Sequence, residues 1–338
     1  MYSTYLNIVA TTIFVTFILI FFAKKFNFND IPKRSFSLHK EPVPFVGGVS
    51  IIFSILFSMI FFNYPIEIQN ILFFGLFFCL LGFLDDKYNL LPIYRLIATS
   101  VLILLFLNKT GYLKNLGEYE YIGNISLGIF GFVFTFFAIH LLINAFNYID
   151  GVDGVAITLF LNAIFILLLI SPFHHNIEKS LIIFSIILIV ILCFNLSFFK
   201  LKKIFIGNNG SYFVGFLISA LMILLNKQLN IHPALIIWCC SVIVYDFLEV
   251  NISRILKKKN LFEADDNHIH QLLLKKTNSK IWVILILNLT NLLLALFTIK
   301  LIYPIGKIFS LMMFIFCFIL FCIIKKMVLN KLNCIKTT

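Results

Sequence analysis

An all-α polytopic membrane protein, a bundle of about eleven transmembrane helices, is the fold class this sequence predicts. Three observations carry it. Of the 338 residues, 61% are hydrophobic and the mean hydropathy is +1.03, far beyond the apolar share of a soluble domain. The apolar residues gather in successive runs that approach the roughly 17–25 residues a span needs. Lysine and arginine collect between alternate runs, as they do when cytoplasmic loops carry the positive excess.

In order, the candidate spans are 6–23, 46–62, 70–84, 93–107, 128–143, 155–171, 180–198, 212–226, 233–250, 281–302 and 304–324, several of them short for a crossing. No basic residue precedes the first run and its lysines follow it, so it is read as a retained span, not a cleaved signal. With the N-terminus outside, the inward loops hold Lys24, Lys25, Lys33, Arg34, Lys40, Lys87, Arg95, Lys200, Lys202, Lys203, Arg254, Lys257 to Lys259, Lys275, Lys276 and Lys280, and the tail adds Lys325, Lys326, Lys331 and Lys336. The outward loops keep only Lys109, Lys114, Lys179, Lys227, Lys300 and Lys307. An odd number of spans then puts the C-terminus in the cytoplasm. No charged linker or internal repeat divides the chain, so residues 1–338 are expected to form a single integral-membrane domain. Its inward loops lie near 24–45, 85–92, 144–154, 199–211 and 251–280.

The net charge of +12 needs no nucleic-acid partner, because positive-inside bias and anionic membrane lipids account for it. The seven cysteines lie mostly inside spans without a CxxC pair, and read as packing thiols.

Polar chemistry is concentrated in a few inward stretches. Asn144-Ala-Phe-Asn147-Tyr-Ile-Asp150-Gly-Val-Asp153-Gly154 places two carboxamides and two carboxylates at spacings of three, so each pair shares a face of a helical turn. Two nearby carboxylates repel unless a cation or proton compensates them. Asp85 and Asp86 close the third span; adjacent residues project about 100° apart on a helix, so one can face a metal while the other holds a base or a neighbouring amide. At the bilayer centre these four carboxylates would together cost roughly 10–14 kcal/mol, which assigns them to the interface or a wet cleft. The proline-rich stretch Pro32 to Pro44 leads to Gly47-Gly48, a pair that lets backbone approach backbone or ligand. Gly207-Asn208-Asn209-Gly210-Ser211 precedes a helix and can form an N–H nest for phosphate. The longest inward loop holds Arg254, the lysines after it, and Asp265-Asp266-Asn-His268-Ile-His270, where phosphate or sugar contacts fit better than a zinc pair lacking further ligands. His140 reads as a hydrogen-bonded bundle histidine, and loop 108–127 as a short hairpin or interfacial helix.

Five of these motifs in order resemble the polyprenyl-phosphate N-acetylhexosamine-1-phosphate transferases, glycosyltransferase family 4, the superfamily of the WecA, TagO and MraY enzymes. The likeness runs from Asp30 to Leu274. Its aspartate pair is similar to Asp85-Asp86, its N-A-x-N-x-I-D-G-x-D-G block to Asn144 through Gly154, its G-D-x-G-S loop to Gly207 through Ser211, and its D-x-x-H-x-H loop to Asp265, His268 and His270. Its Pro-rich Gly-Gly stretch is similar to Pro42 through Gly48. The chain departs at Asn208, where the family carries aspartate, and has one residue more than expected between Pro32 and His39. The residues around Asp150, the Gly pair and His270-Gln271 lean toward the WecA/TagO branch and away from MraY.

The resemblance implies transfer of an N-acetylhexosamine-1-phosphate from a UDP-sugar to undecaprenyl phosphate, releasing UMP and initiating a surface polysaccharide such as O-antigen or capsule. It implies a multi-pass protein of the bacterial cytoplasmic membrane with its site facing the cytoplasm, and admits a homodimer. Mg²⁺, or Mn²⁺ in its place, is the implied cation. Asp85, Asp86, Asp150 and Asp153 are the expected metal and catalytic group, with Asn208 as a further oxygen. Asn144, Asn147, Asn208, Arg254, His268, His270, Gly47 and Gly48 are the expected substrate contacts. GlcNAc, GalNAc, FucNAc and QuiNAc all fit as sugars. The alternatives are an MraY-type phospho-MurNAc-pentapeptide transferase, an inactive scaffold of the same fold, and a transporter or flippase. Transport is disfavoured because the acidic clusters gather at one face and no repeat is present.

Overall fold

The computed structural model describes residues 2–30, 41–171, 175–260 and 267–337. Backbone in hydrocarbon must satisfy its own N–H and C=O groups, so the long apolar runs become helices. In chain order they are α1 (Tyr2–Lys25), α2 (Gly47–Ser58), α3 (Ile66–Tyr88), α4 (Pro92–Thr110), α5 (Phe130–Ile149), α6 (Val155–Ile170), α7 (His175–Asn195) and α8 (Gly207–Leu229), then α9 (Pro233–Ile236), α10 (Ser241–Leu256), α11 (Ile269–Thr277), α12 (Lys280–Phe297) and α13 (Lys307–Thr337). Four short strands make two antiparallel pairs: β1 (Asn29–Asp30) with β2 (Val43–Pro44), and β3 (Asn115–Tyr119) with β4 (Gly123–Ser126). The second pair is the hairpin expected as one form of loop 108–127.

Among the described residues, nine helices are long and apolar enough to cross a membrane. This is a multi-pass membrane protein. Two expected spans, 46–62 and 155–171, are shorter helices of 12 and 16 residues. α2 ends where Met59 to Phe62 bond back to residues 56–58. α6 starts only after Gly154, whose φ of 81° lies in the left-handed region.

The described chain forms two compact units. The first comprises Met1–Gly111 and Phe173–Leu221, and here α2 packs on α1, α3 and α7, with α4 on α3. Close approach of α8 to α3 depends on glycine: a Cβ at Gly75 would overlap the Phe213 ring, and one at Gly82 the Asn208 backbone. Phe78 stacks on Phe216 at 4.3 Å. The Gly47-Gly48 pair meets backbone, as its two N–H groups donate to the Phe205 and Ile206 carbonyls at 2.9 and 3.2 Å. A Cβ on Gly48 would overlap Gly210, which cannot move as a side chain can. Gly48→Ala is therefore expected to destabilise this unit by about 3 kcal/mol or more, the upper end for overpacking. A thermal melt of the purified variant within about 1 °C of wild type would contradict that.

The second unit comprises Tyr112–Pro172 and Met222–Thr338. α10 packs on α5, α12 and α13, α6 on α12, and α11 on α12 and α13. Asn291 pins the bundle: its Oδ1 accepts from Ser241 Oγ (2.9 Å) and Val242 N (3.2 Å), while its Nδ2 donates to the Cys239 carbonyl (2.9 Å) and Asn162 Oδ1 (3.1 Å). Interhelical hydrogen bonds of this kind stand in for the hydrophobic drive that lipid removes.

Candidate active site

In the first unit α3 ends on the aspartate pair, because Asn89 turns left-handed (φ 50°) and its N–H closes the last turn on the Asp85 carbonyl. Asp85 is 2% exposed, and its carboxylate is enclosed by donors. Leu90 N donates to Oδ1 at 3.0 Å, and Oδ2 receives Tyr212 Oη (2.8 Å), Asn208 Nδ2 (2.9 Å) and Arg95 (3.3 Å). Asp86 caps the start of α8. Asn208 N reaches Oδ1 at 2.9 Å, and Asn209 reaches Oδ2 through its backbone N (3.1 Å) and its Nδ2 (2.6 Å). The N–H groups expected to cradle a phosphate thus hold a carboxylate of the chain itself, the other anion a helix N-terminus favours. Asn208 turns the donor end of its amide toward Asp85. Gly207 makes the turn with φ 70°.

In the second unit α5 runs out through Asn144 and Asn147 to Asp150, its C-cap residue. Asn144 Nδ2 bonds back to the His140 carbonyl at 2.8 Å, which leaves its oxygen as the outward end of the amide. His140 is buried against the Phe136 ring. Asp153 forms an ion pair with Lys280 at the start of α12.

His270, in the first turn of α11, lies directly against this acidic turn, since a Cβ on Gly151 would overlap its Nε2. The ring is fully buried, and among the described residues neither nitrogen has a hydrogen-bond partner. Burial drives its pKa down to about 3, which keeps the ring a neutral imidazole rather than a cation. His268, the N-cap residue of α11, stacks on His270 at 5.7 Å. On α10, Arg254 is 4% exposed and lies over the Tyr148 ring at 5.7 Å. Beside it a cavity of about 250 Å³ is lined by Arg254, Lys257, Lys259, Lys326, Glu249 and Asn267, among others. Four cations around one hollow suit a phosphate-bearing ligand.

A divalent cation fits the second unit by its donor chemistry. Asp150, Asp153, Asn144 and Asn147 offer only oxygen ligands, the set a hard cation takes, and the Lys280 ammonium on Asp153 shows a positive charge already held there. Among the described residues no three His, Cys, Asp or Glu side chains converge on one point. Asp85 and Asp86 are each held by several donors of the chain, as Asp153 is held by Lys280.

The structure therefore groups Asp85, Asp86, Asn208, Gly47 and Gly48 in one unit. Asn144, Asn147, Asp150, Asp153, Arg254, His268 and His270 lie in the other. His39 and Asp265 are outside the described residues. Tyr212, Asn209, Lys280 and Lys325 were missed as partners of these groups. A lysine inside an apolar helix, as at Lys325, was the one available signal.

A protein-family model described as glycosyl transferase family 4 matches residues 68–226. Three similar proteins share the name undecaprenyl-phosphate alpha-N-acetylglucosaminyl 1-phosphate transferase. The one from Thermotoga maritima is 31% identical over 272 residues, 78% of each chain. That from Escherichia coli K12 is 28% identical over 281 residues, 80% of this chain and 76% of its own. That from Yersinia pestis is 28% identical over 251 residues, 70% of this chain and 67% of its own.

Proposed function

The chain belongs to glycosyl transferase family 4, and from that premise we propose that it moves N-acetylglucosamine-1-phosphate from UDP-N-acetylglucosamine to undecaprenyl phosphate. UMP leaves, and the undecaprenyl-diphosphate sugar begins a surface polysaccharide. The observation that carries this reading is the packing of His270 on Gly151. It brings the Asp150–Asp153 turn against the histidine and arginine face of the same unit, so carboxylates and phosphate-binding groups share one place.

In the reaction an oxygen of the lipid phosphate attacks the sugar-bearing phosphorus of the donor. The bond from that phosphorus to the bridging oxygen breaks, and the electron pair goes out with UMP. A phosphate monoester with a second pKa near 6 is already largely ionised at neutral pH, so the attack needs little help from a general base. Arg254 and the lysines lining its cavity attract and orient the diphosphate. His270 offers a neutral ring nitrogen in a dry setting, where a hydrogen bond is worth more than in water. Asp150 and Asp153, with the amide oxygens of Asn144 and Asn147, would hold Mg²⁺, which when bound neutralises the diphosphate as charge moves to the leaving group. The positive-inside distribution supports a site facing the cytoplasm, where the nucleotide is dissolved.

The test is UMP release by purified protein with undecaprenyl phosphate, Mg²⁺ and a panel of UDP-N-acetylhexosamines, UDP-MurNAc-pentapeptide included, with and without EDTA. Lipid-dependent UMP from UDP-GlcNAc alone, lost with EDTA, is the expected result. Release only from another donor would move the sugar, and none from any donor would remove the reading.

A further inference from the structure

Lys325 sits within α13, an apolar helix, and is 1% exposed. A buried ammonium there is costly unless it is paired. It is paired twice: its Nζ lies 2.7 Å from Asp246 Oδ1 and 2.5 Å from Glu249 Oε2. Those carboxylates stand three apart on α10 and would repel each other without it. Asp246, 2% exposed, spends the rest of its carboxylate on the start of α11. Its Oδ1 also accepts from Ile269 N at 2.9 Å, and its Oδ2 lies 2.8 Å from His268 Nδ1.

A carboxylate only accepts, so the bond to Oδ2 requires the proton on His268 Nδ1. Nε2 is then the ring atom left for a ligand. We infer that Lys325, acting through Asp246, is a positioning residue for His268, fixing its tautomer and ring orientation toward the phosphates of the sugar nucleotide. This rests on the proposed function only in naming that ligand. The relay is built across three helices: α13 supplies the charge, α10 the carboxylate and α11 the imidazole. Glu249 also lines the cationic cavity beside Arg254, so the Lys325 pair is continuous with the wall that would face the diphosphate. The ring of Tyr148 on α5 packs edge-on against that of His268 at 5.1 Å.

The experiment compares wild type, Lys325→Met, Lys325→Arg, Lys325→Met with Asp246→Asn, and His268→Ala with and without Lys325→Met. Each is assayed for UMP release against UDP-GlcNAc and undecaprenyl phosphate separately. Loss of a hydrogen bond to a charged group corresponds to about tenfold or more. Lys325→Met is expected to raise KM for the nucleotide by about that factor and leave KM for the lipid unchanged. Lys325→Arg keeps the charge and restores most of it. In the His268→Ala background Lys325→Met adds nothing, because the residues act as one chain.

Should Lys325→Met fail to fold, the double variant removes the Lys325 and Asp246 charges together, a joint replacement that is often near neutral, and leaves only the Glu249 carboxylate, which is 19% exposed. It is expected to fold and still show the raised nucleotide KM. A second readout needs no turnover: ¹⁵N shifts of histidine-labelled protein report the His268 tautomer, expected as Nδ1–H in wild type and altered in the folded variant lacking both charges. Unchanged nucleotide KM, full additivity with His268→Ala, or an unaltered tautomer would each overturn the inference. A wild-type protein that releases no UMP but keeps the Nδ1–H signature, lost in the double variant, would remove the proposed reaction and leave the relay standing.

Discussion

Asp150→Asn is expected to lower UMP release by about 10²-fold or more, the scale on which losing one transition-state stabilising group is felt. The protein should stay folded, its melting behaviour close to wild type. Asp150 is the C-cap of α5 with φ −76° and ψ 32°, a conformation asparagine adopts as readily, and its side chain is half-buried rather than enclosed. What the substitution removes is a negative charge. Asp153 pairs with Lys280, and Asp150 is the other carboxylate of the turn that would hold a cation. The check is a Mg²⁺ titration of activity beside a thermal melt. Turnover retained at wild-type Mg²⁺ dependence would take Asp150 out of the site, whereas loss of turnover with a collapsed melt would make it a structural cap.

Much of this was legible in the sequence, for physical reasons. Long apolar runs have no other stable form in a bilayer, so α1, α3, α5 and α12 followed from length and hydropathy alone. The run 155–171 was placed within one residue of α6, whose start the left-handed Gly154 sets, whereas 46–62 was read too long because hydropathy does not register the back-bonded turn that ends α2 after Ser58. The polar clusters were legible because carboxylates and carboxamides are expensive beside lipid. Their partners were not. Tyr212 reaches Asp85 across 127 positions of chain, Asn209 reaches Asp86 across 123, and Lys325 reaches Asp246 across 79. No local periodicity encodes such pairings. Hence the reading that gave Asp85 and Asp86 to a metal lacked the donors that surround them.

Those donors set up the second large expectation, at Asn208. Its Nδ2 donates to Asp85 Oδ2 at 2.9 Å, in a cluster where Arg95 and Tyr212 donate to the same oxygen. Asn208→Asp, which restores the residue the family usually carries, exchanges that donor for a carboxylate oxygen facing another. Two unit charges about 4 Å apart at an effective dielectric near 20 repel by on the order of 4 kcal/mol before relaxation. Asp86 sits on the next residue and adds to the repulsion. Without divalent cation the variant is therefore expected to melt several degrees below wild type, since the shift per kcal/mol shrinks as chain length grows. With Mg²⁺ the three carboxylates become a hard-oxygen set, and the lost stability should return. Wild type, whose pair is neutralised by an arginine and amide donors, should gain far less from Mg²⁺ at this place. The measurement is a melt of both proteins across a Mg²⁺ series in EDTA-stripped detergent. A variant as stable as wild type without metal would mean that Asn208 is not holding Asp85 as the geometry shows. A variant that stays unstable at saturating Mg²⁺ would mean that this aspartate pair cannot open to a cation, leaving charge compensation to Asp150 and Asp153.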